Sequence, residues 1–196
     1  MSRFHRLVNV QIRGGFYIFL AFAIVLFPFK WLSAWVLAAA VHELGHAIAV
    51  NMSGHRIHCL DISFMGARII TDNLDSDEWY CALAGPAFGL LLGLTIQIFP
   101  RLGICAIFQS FINLLPIYPM DGGRAIRCAL CSIWSEEKGK TIASFIACIT
   151  TFILIVLISH LKDTGLSCLL ITILILTELK TLLRKIPCKH RVKWVQ

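Results

Sequence analysis

Charge is scarce in this chain. Of its 196 residues, 18 are Lys or Arg and 11 are Asp or Glu; charged residues make up 15% and hydrophobic ones 58%. A soluble domain has about a quarter of its residues charged and roughly half apolar. That shortage, with a mean hydropathy of +0.78, excludes an ordinary soluble fold and points to an integral membrane protein. Also missing are an internal repeat, a low-complexity segment and a second soluble domain. No disulfide framework is suggested: the 8 cysteines are scattered, mostly in apolar runs where a thiol is a small hydrophobe. Cys128 and Cys131 form a lone CxxC, which reads as two positions on one helix face.

What is abundant is apolar sequence, and it comes in runs. Candidate spans cover about 14–29, 31–52, 80–99, 102–119, 141–159 and 166–183. A membrane-crossing helix needs about 20 such residues, so the first run is short. A signal peptide is its competing reading. The second run follows almost at once, so the two read better as a hairpin turning near Pro28–Lys30. Residues 51–79 are the longest polar stretch. There "HRIHCLDISFMGARIIT" reads as two short strands meeting near Gly66, and the acidic "DNLDSDE" closes the stretch. A short helix is predicted over about 123–134. The expected fold is an all-α polytopic membrane protein of about six transmembrane helices. A small β-hairpin follows the second span, and residues 1–196 form a single membrane-embedded domain.

The few charges are placed unevenly. Arg3, Arg6 and Arg13 sit at the start, and Lys180, Arg184, Lys185, Lys189, Arg191 and Lys193 at the end. Nucleic-acid binding is one reading of such ends; the positive-inside rule and contact with anionic lipid is the simpler one. With both termini inside and six spans, only Lys30, Arg101 and Lys162 fall in outside turns. Every other Lys and Arg falls inside, including Arg56, Arg68, Arg124, Arg127, Lys138 and Lys140. The bias predicts cytoplasmic termini, the bilayer as a partner and no nucleic acid.

The second run contains "AAAVHELGHAIAV", with two histidines and a glutamate where lipid would be the natural neighbour. Such groups are costly in a membrane unless paired. His42-Glu43-Leu44-Gly45-His46 is an HExxH pattern. On a helix, residues four apart share a face, so both imidazoles can reach one ion. Zinc suits nitrogen ligands, and the intervening glutamate stands ready to take a proton from water. Neutral imidazoles bound to metal also resolve the cost of burial. By composition the pattern arises by chance in on the order of one in a hundred chains of this length. Ala38, Gly45 and Ala49 are small and let other backbones come close.

A catalytic zinc needs a third protein ligand. Asp61, Glu78 and the "DNLDSDE" group lie in the polar stretch and read as solvated; His55 and His58 read as surface or interface histidines. Asp121 differs. It follows an apolar run in "FINLLPIYPMDGGR", where Pro116 and Pro119 break the helix and Gly122-Gly123 free the backbone. It reads either as a carboxylate on an unwound segment lining a polar cavity or as a cap of the next helix. Topology favours the first. Spans two and four both run from outside to inside, so His42, His46 and Asp121 all fall toward the cytosolic side. Arg124 follows closely and either pairs with Asp121 or marks the membrane boundary; the boundary reading is preferred.

"HELGH" with "NLLPIYPMDGG" resembles the site-2 protease family of intramembrane zinc metalloproteases. The matching positions are Asn113, Pro116, Pro119, Asp121 and Gly122, beside the HExxH residues. The resemblance implies His42, His46 and Asp121 as ligands of one Zn2+ per chain, Glu43 as the base, and Asn113 in contact with substrate. "AGPAFG", 84–89, is similar to the family's Gly-Pro motif, with Gly89 where an asparagine usually follows. The compact layout most resembles the sporulation branch, which processes a membrane-bound sigma-factor precursor, but without the C-terminal CBS domain many of its members carry. It implies a membrane protein substrate, regulatory membrane proteins as partners and an active site toward the cytoplasm. Two rival readings stay open. One is a membrane zinc peptidase with a glutamate as third ligand that acts on soluble or loop substrates. The other is a metal transporter that uses the same histidines.

Overall fold

The computed structural model describes residues 9–63, 66–71 and 78–160. Its elements are β1 (Asn9–Ile12), α1 (Gly14–Leu26), α2 (Phe29–Met52), β2 (Ile57–Ser63), β3 (Gly66–Thr71), α3 (Glu78–Gly93), α4 (Pro100–Asn113), α5 (Asp121–Ile133) and α6 (Glu136–Ser159). A 3-10 turn, Leu94–Gln97, extends α3. Phe29–Met52, Trp79–Gln97 and Glu136–Ser159 are long and apolar enough to cross a membrane; α1 is a shorter apolar helix. The sixth predicted run, 166–183, lies outside the described residues.

The packing is that of helices made for lipid. Most buried apolar residues are small: Ala23, Ala38, Ala49, Ala82, Ala106, Ala125 and Ala147 are all nearly inaccessible, with Val50 and Ile117 the larger exceptions. Large ones point outward, among them Phe19, Phe22, Val25, Leu91, Phe108, Phe145 and Phe152. Lipid tails are as apolar as leucine, so helix association rests on close backbone approach rather than on hiding bulky side chains.

The chain divides into two compact units: residues up to Leu74 with Ala84–Ser110, and Asp75–Leu83 with Phe111 onward. The division falls within α3 and within α4.

In the first unit, β1, β2 and β3 form one sheet in that order. β2 and β3 are the predicted hairpin, antiparallel, with Ser63 opposite Gly66. β1 was not predicted: it pairs in parallel with β2, Asn9 opposite Cys59 and Ile12 opposite Ile62. Parallel neighbours need a crossover, and here the hairpin of α1 and α2 supplies it. The chain turns at Phe27–Pro28, where predicted. The start of α1 and the end of α2 are thereby tied to one sheet.

Asp61 corrects the sequence reading. It is not a solvated loop carboxylate but a residue of the central strand, 6% exposed. Arg13 binds it through both Nε and Nη2, at 2.9 and 2.6 Å, and the Arg13 N–H donates to the Ile62 carbonyl at 2.9 Å. The hydrogen bond and charge of Asp61 push the Arg13 guanidinium above its already basic range. Of the two polar-stretch histidines, His55 is half-buried and His58 exposed.

α2 packs on α4 through Ala38, Cys105 and Ala106, with Ala34, Leu92 and Leu102 around them. The buried Gln109 of α4 donates to the Trp35 carbonyl of α2 at 2.9 Å. In the second unit, α4 ends at Asn113, earlier than the predicted 119, because a residue before proline is driven out of helical conformation. The segment after it is short-bonded: Ile117 N–H to Leu115 O, Met120 N–H to Ile117 O. α5 begins at Asp121, close to the predicted 123, and α6 runs from Glu136, five residues before the predicted 141.

Candidate metal centre

His42 and His46 lie one turn apart on α2, whose length at 1.5 Å per residue is about 36 Å. His42 is 5% exposed, His46 is half-buried, and Glu43 between them is half-buried. The rings stand at 82° with centroids 4.8 Å apart. Nε2 of one faces Nε2 of the other at 3.1 Å. Two nitrogens each about 2.0–2.1 Å from a tetrahedral zinc sit roughly 3.3 Å apart. The pair therefore fits a zinc ion with little rotation.

Asp121 is the first residue of α5 and is buried. The cap position belongs to Met120, with no side-chain cap bond, so the reading of Asp121 as a helix cap does not hold. Its place comes from two glycines. A Cβ on Gly123 would run into the Ile117 carbonyl and the Tyr118 N, and one on Gly122 into the backbone at Leu114 and Leu115. The first turn of α5 thus lies directly on the preceding segment. The helix N-terminus favours the ionised carboxylate. Arg124, one turn on, has Nη1 3.7 Å from Asp121 Oδ1. The pairing and boundary readings of Arg124 are thus not exclusive. Arg127 stacks over the Tyr118 ring at 5.5 Å.

One ligand atom each from His42, His46 and Asp121 lies within 4.8 Å of the others. Two imidazole nitrogens and a carboxylate oxygen are a donor set that zinc takes. Among the described residues no other group of three His, Cys, Asp or Glu side chains comes together in this way, so His55, His58, Cys128 and Cys131 join no such cluster. Asn113 is the last residue of α4 and half-buried. The side chains of the acidic stretch at 72–78 lie outside the described residues.

Sequence reasoning underrated one contact. Gly85, noticed only as part of "AGPAFG", lies against the His46 imidazole. The signal was a glycine inside an apolar helix, which marks close approach of another group.

The fold and the donor set define a membrane protein built around an HExxH helix. Comparison places known proteins beside it. The structure shares its fold with a site-2 protease from Methanocaldococcus jannaschii, with a TM-score of 0.64 and 21% identity over 87% of this chain and 89% of that one. In sequence it is similar to a zinc metalloprotease of Methanocaldococcus jannaschii, 23% identical over 78% of this chain and 51% of the relative. It is also similar to a Synechocystis protein that carries a zinc metalloprotease name, 29% identical over 58% of this chain and 35% of that protein. The chain thus spans about half or less of the curated relatives it matches. No family model matches it.

Proposed function

We propose that this chain is a membrane-embedded zinc endopeptidase that cleaves a peptide bond in or near the membrane segment of another protein. The observation that carries the reading is the HExxH pair on an apolar helix, its two Nε2 atoms 3.1 Å apart, with an Asp121 oxygen among the nearby donors. The names of the similar proteins agree with it. His42, His46 and Asp121 would hold one zinc per chain. Bound there, zinc polarises the scissile carbonyl and lowers the pKa of water. Glu43 would accept the proton of the attacking water as the water oxygen bonds to the carbonyl carbon, then deliver it to the amide nitrogen so that the C–N bond breaks and the amine leaves. Asn113 contacts the substrate backbone. A helical substrate hides its carbonyls in its own hydrogen bonds, so it must unwind before attack.

The same reading gives six spans, with both termini and the zinc toward the cytoplasm, as the placement of Lys and Arg supports. The substrate class is a membrane-tethered protein. The sporulation resemblance narrows it to a transcription-factor precursor. The test is reconstitution of the purified chain with membrane-tethered candidate precursors, alongside Glu43→Gln. Glu43→Gln keeps the shape and loses the base. We expect zinc to stay stoichiometric in both and product to form only with Glu43. Normal cleavage by Glu43→Gln would remove the general base, and a chain without zinc would remove the metal.

A further inference from the structure

α2 and α3 meet at glycines. Where Gly45 of α2 lacks a Cβ, the Ala84 carbonyl oxygen stands at 2.8 Å and the Phe88 side chain at 2.9 Å. Gly85 of α3 lies against the His46 ring. A Cβ there would run into Nε2 and would sit 2.5 Å from Cε1 and 2.7 Å from Cδ2. A group in the ring plane beyond Nε2 would be much farther from those two carbons than from Nε2. Near-equal closeness to all three means that the Gly85 backbone lies over the ring face, at its ligand end.

That contact matters because of the torsion it controls. χ2 of histidine is broad, and it decides where Nε2 points. A backbone laid on the ring face blocks rotation to that side. The His42 ring, at 82° and 4.8 Å, restricts it further. The result is the Nε2–Nε2 approach of 3.1 Å, already near what a tetrahedral cation needs. We propose that Gly85 is a positioning residue: its missing side chain lets the α3 backbone hold the His46 imidazole with Nε2 aimed at the metal position. The inference rests on the zinc reading above. It adds a residue that touches neither substrate nor metal and acts only through His46. Partners that orient metal ligands are typically worth about 10–100-fold in metal affinity.

Gly93 provides the control. It lies two turns along α3, and the three heavy atoms nearest a Cβ there all belong to the Ile107 side chain, Cγ1 at 2.5 Å, with no histidine among them. The experiment measures zinc affinity of the purified full chain by chelator competition, and the visible absorption of its Co2+ form, for wild type, Gly85→Ala and Gly93→Ala. We expect Gly85→Ala to bind zinc at least about tenfold more weakly and to shift the Co2+ bands, with Gly93→Ala like wild type. Wild-type affinity and spectrum in Gly85→Ala overturn the inference. So does an equal loss in Gly93→Ala, which would make the effect one of general packing. A wild type that binds no zinc overturns the metal reading and this inference with it, whereas a zinc-binding wild type beside an equally tight Gly85→Ala overturns this one alone. Should Gly85→Ala fail to fold, Gly85→Ala combined with His46→Ala is expected to fold, because the obstructing ring is gone. Failure of the double variant would place the need for glycine in the helix crossing and overturn the role.

Discussion

Each residue of the proposed site is held by something different. His42 and His46 are held by one helix, so their spacing is visible in five letters of sequence. Asp121 is held by Gly122 and Gly123 lying on backbone, which the "PMDGG" string hinted at without deciding. It could equally have capped α5; the Met120 cap position removes that alternative. If Asp121 is the third ligand, Asp121→Ala should weaken zinc binding by at least about tenfold, comparably to His46→Ala, in chelator competition on purified protein. Wild-type affinity in Asp121→Ala would take it out of the site. Asp61 was not legible at all. Its partner Arg13 is 48 residues away, and nothing local in "CLDIS" tells a buried, paired carboxylate from a solvated one. Asp61→Leu should lower the melting temperature of the chain, because it removes one side of a bidentate pair and leaves a guanidinium against an apolar group. An unchanged melting temperature would mean that strand pairing alone holds β1.

Among elements, the long apolar helices were readable, and so were the short α5 and the β2–β3 hairpin; β1 was not. α2 and α6 exceed 20 apolar-rich residues, which only a span or a buried helix satisfies. β1, "NVQI", alternates polar and apolar, but it is only four residues with every side chain exposed, too short a run to mark a strand by itself. Its existence depends on β2 being adjacent, a fact of tertiary structure. With β1 on one side, β2 is the central strand, and a proline there would break the ladder. The open edge of the hairpin is β3. An unwound substrate needs new backbone partners, and adding itself to an edge strand supplies them. If β3 serves so, a proline at a position of β3 whose N–H points outward, found by scanning Ala67, Ile69 and Ile70, should raise KM severalfold with zinc content unchanged. Wild-type rates from every folded, zinc-loaded variant would leave β3 as a structural strand only.

For the whole molecule, the decisive physical fact is solvent. Most of the apolar residues the chain hides are small and most of the large ones are exposed, the arrangement that suits lipid. The parallel pairing of β1 with β2 then bears on topology. α2 is long enough to cross, and the residues before α1 pair with those after α2. If α2 crosses, the α1–α2 hairpin goes out and comes back, although α1 alone is only about 20 Å long against a core of about 30 Å. Single cysteines at Gln11 and Arg56, in a chain stripped of its native cysteines, should react with an impermeant maleimide from the same side of sealed vesicles. One at Lys30 should react from the other. Labelling of Gln11→Cys and Arg56→Cys from opposite faces would sink the hairpin. The sequence by itself determined the membrane class, most helices, the β2–β3 hairpin and the HExxH histidine pair on one helix face. All of these follow from composition or from periodicities within one turn or one strand. Only the tertiary structure decided the pairing of β1, the burial of Asp61 and the seat of Gly85 on His46, because each depends on two segments meeting that are far apart along the chain.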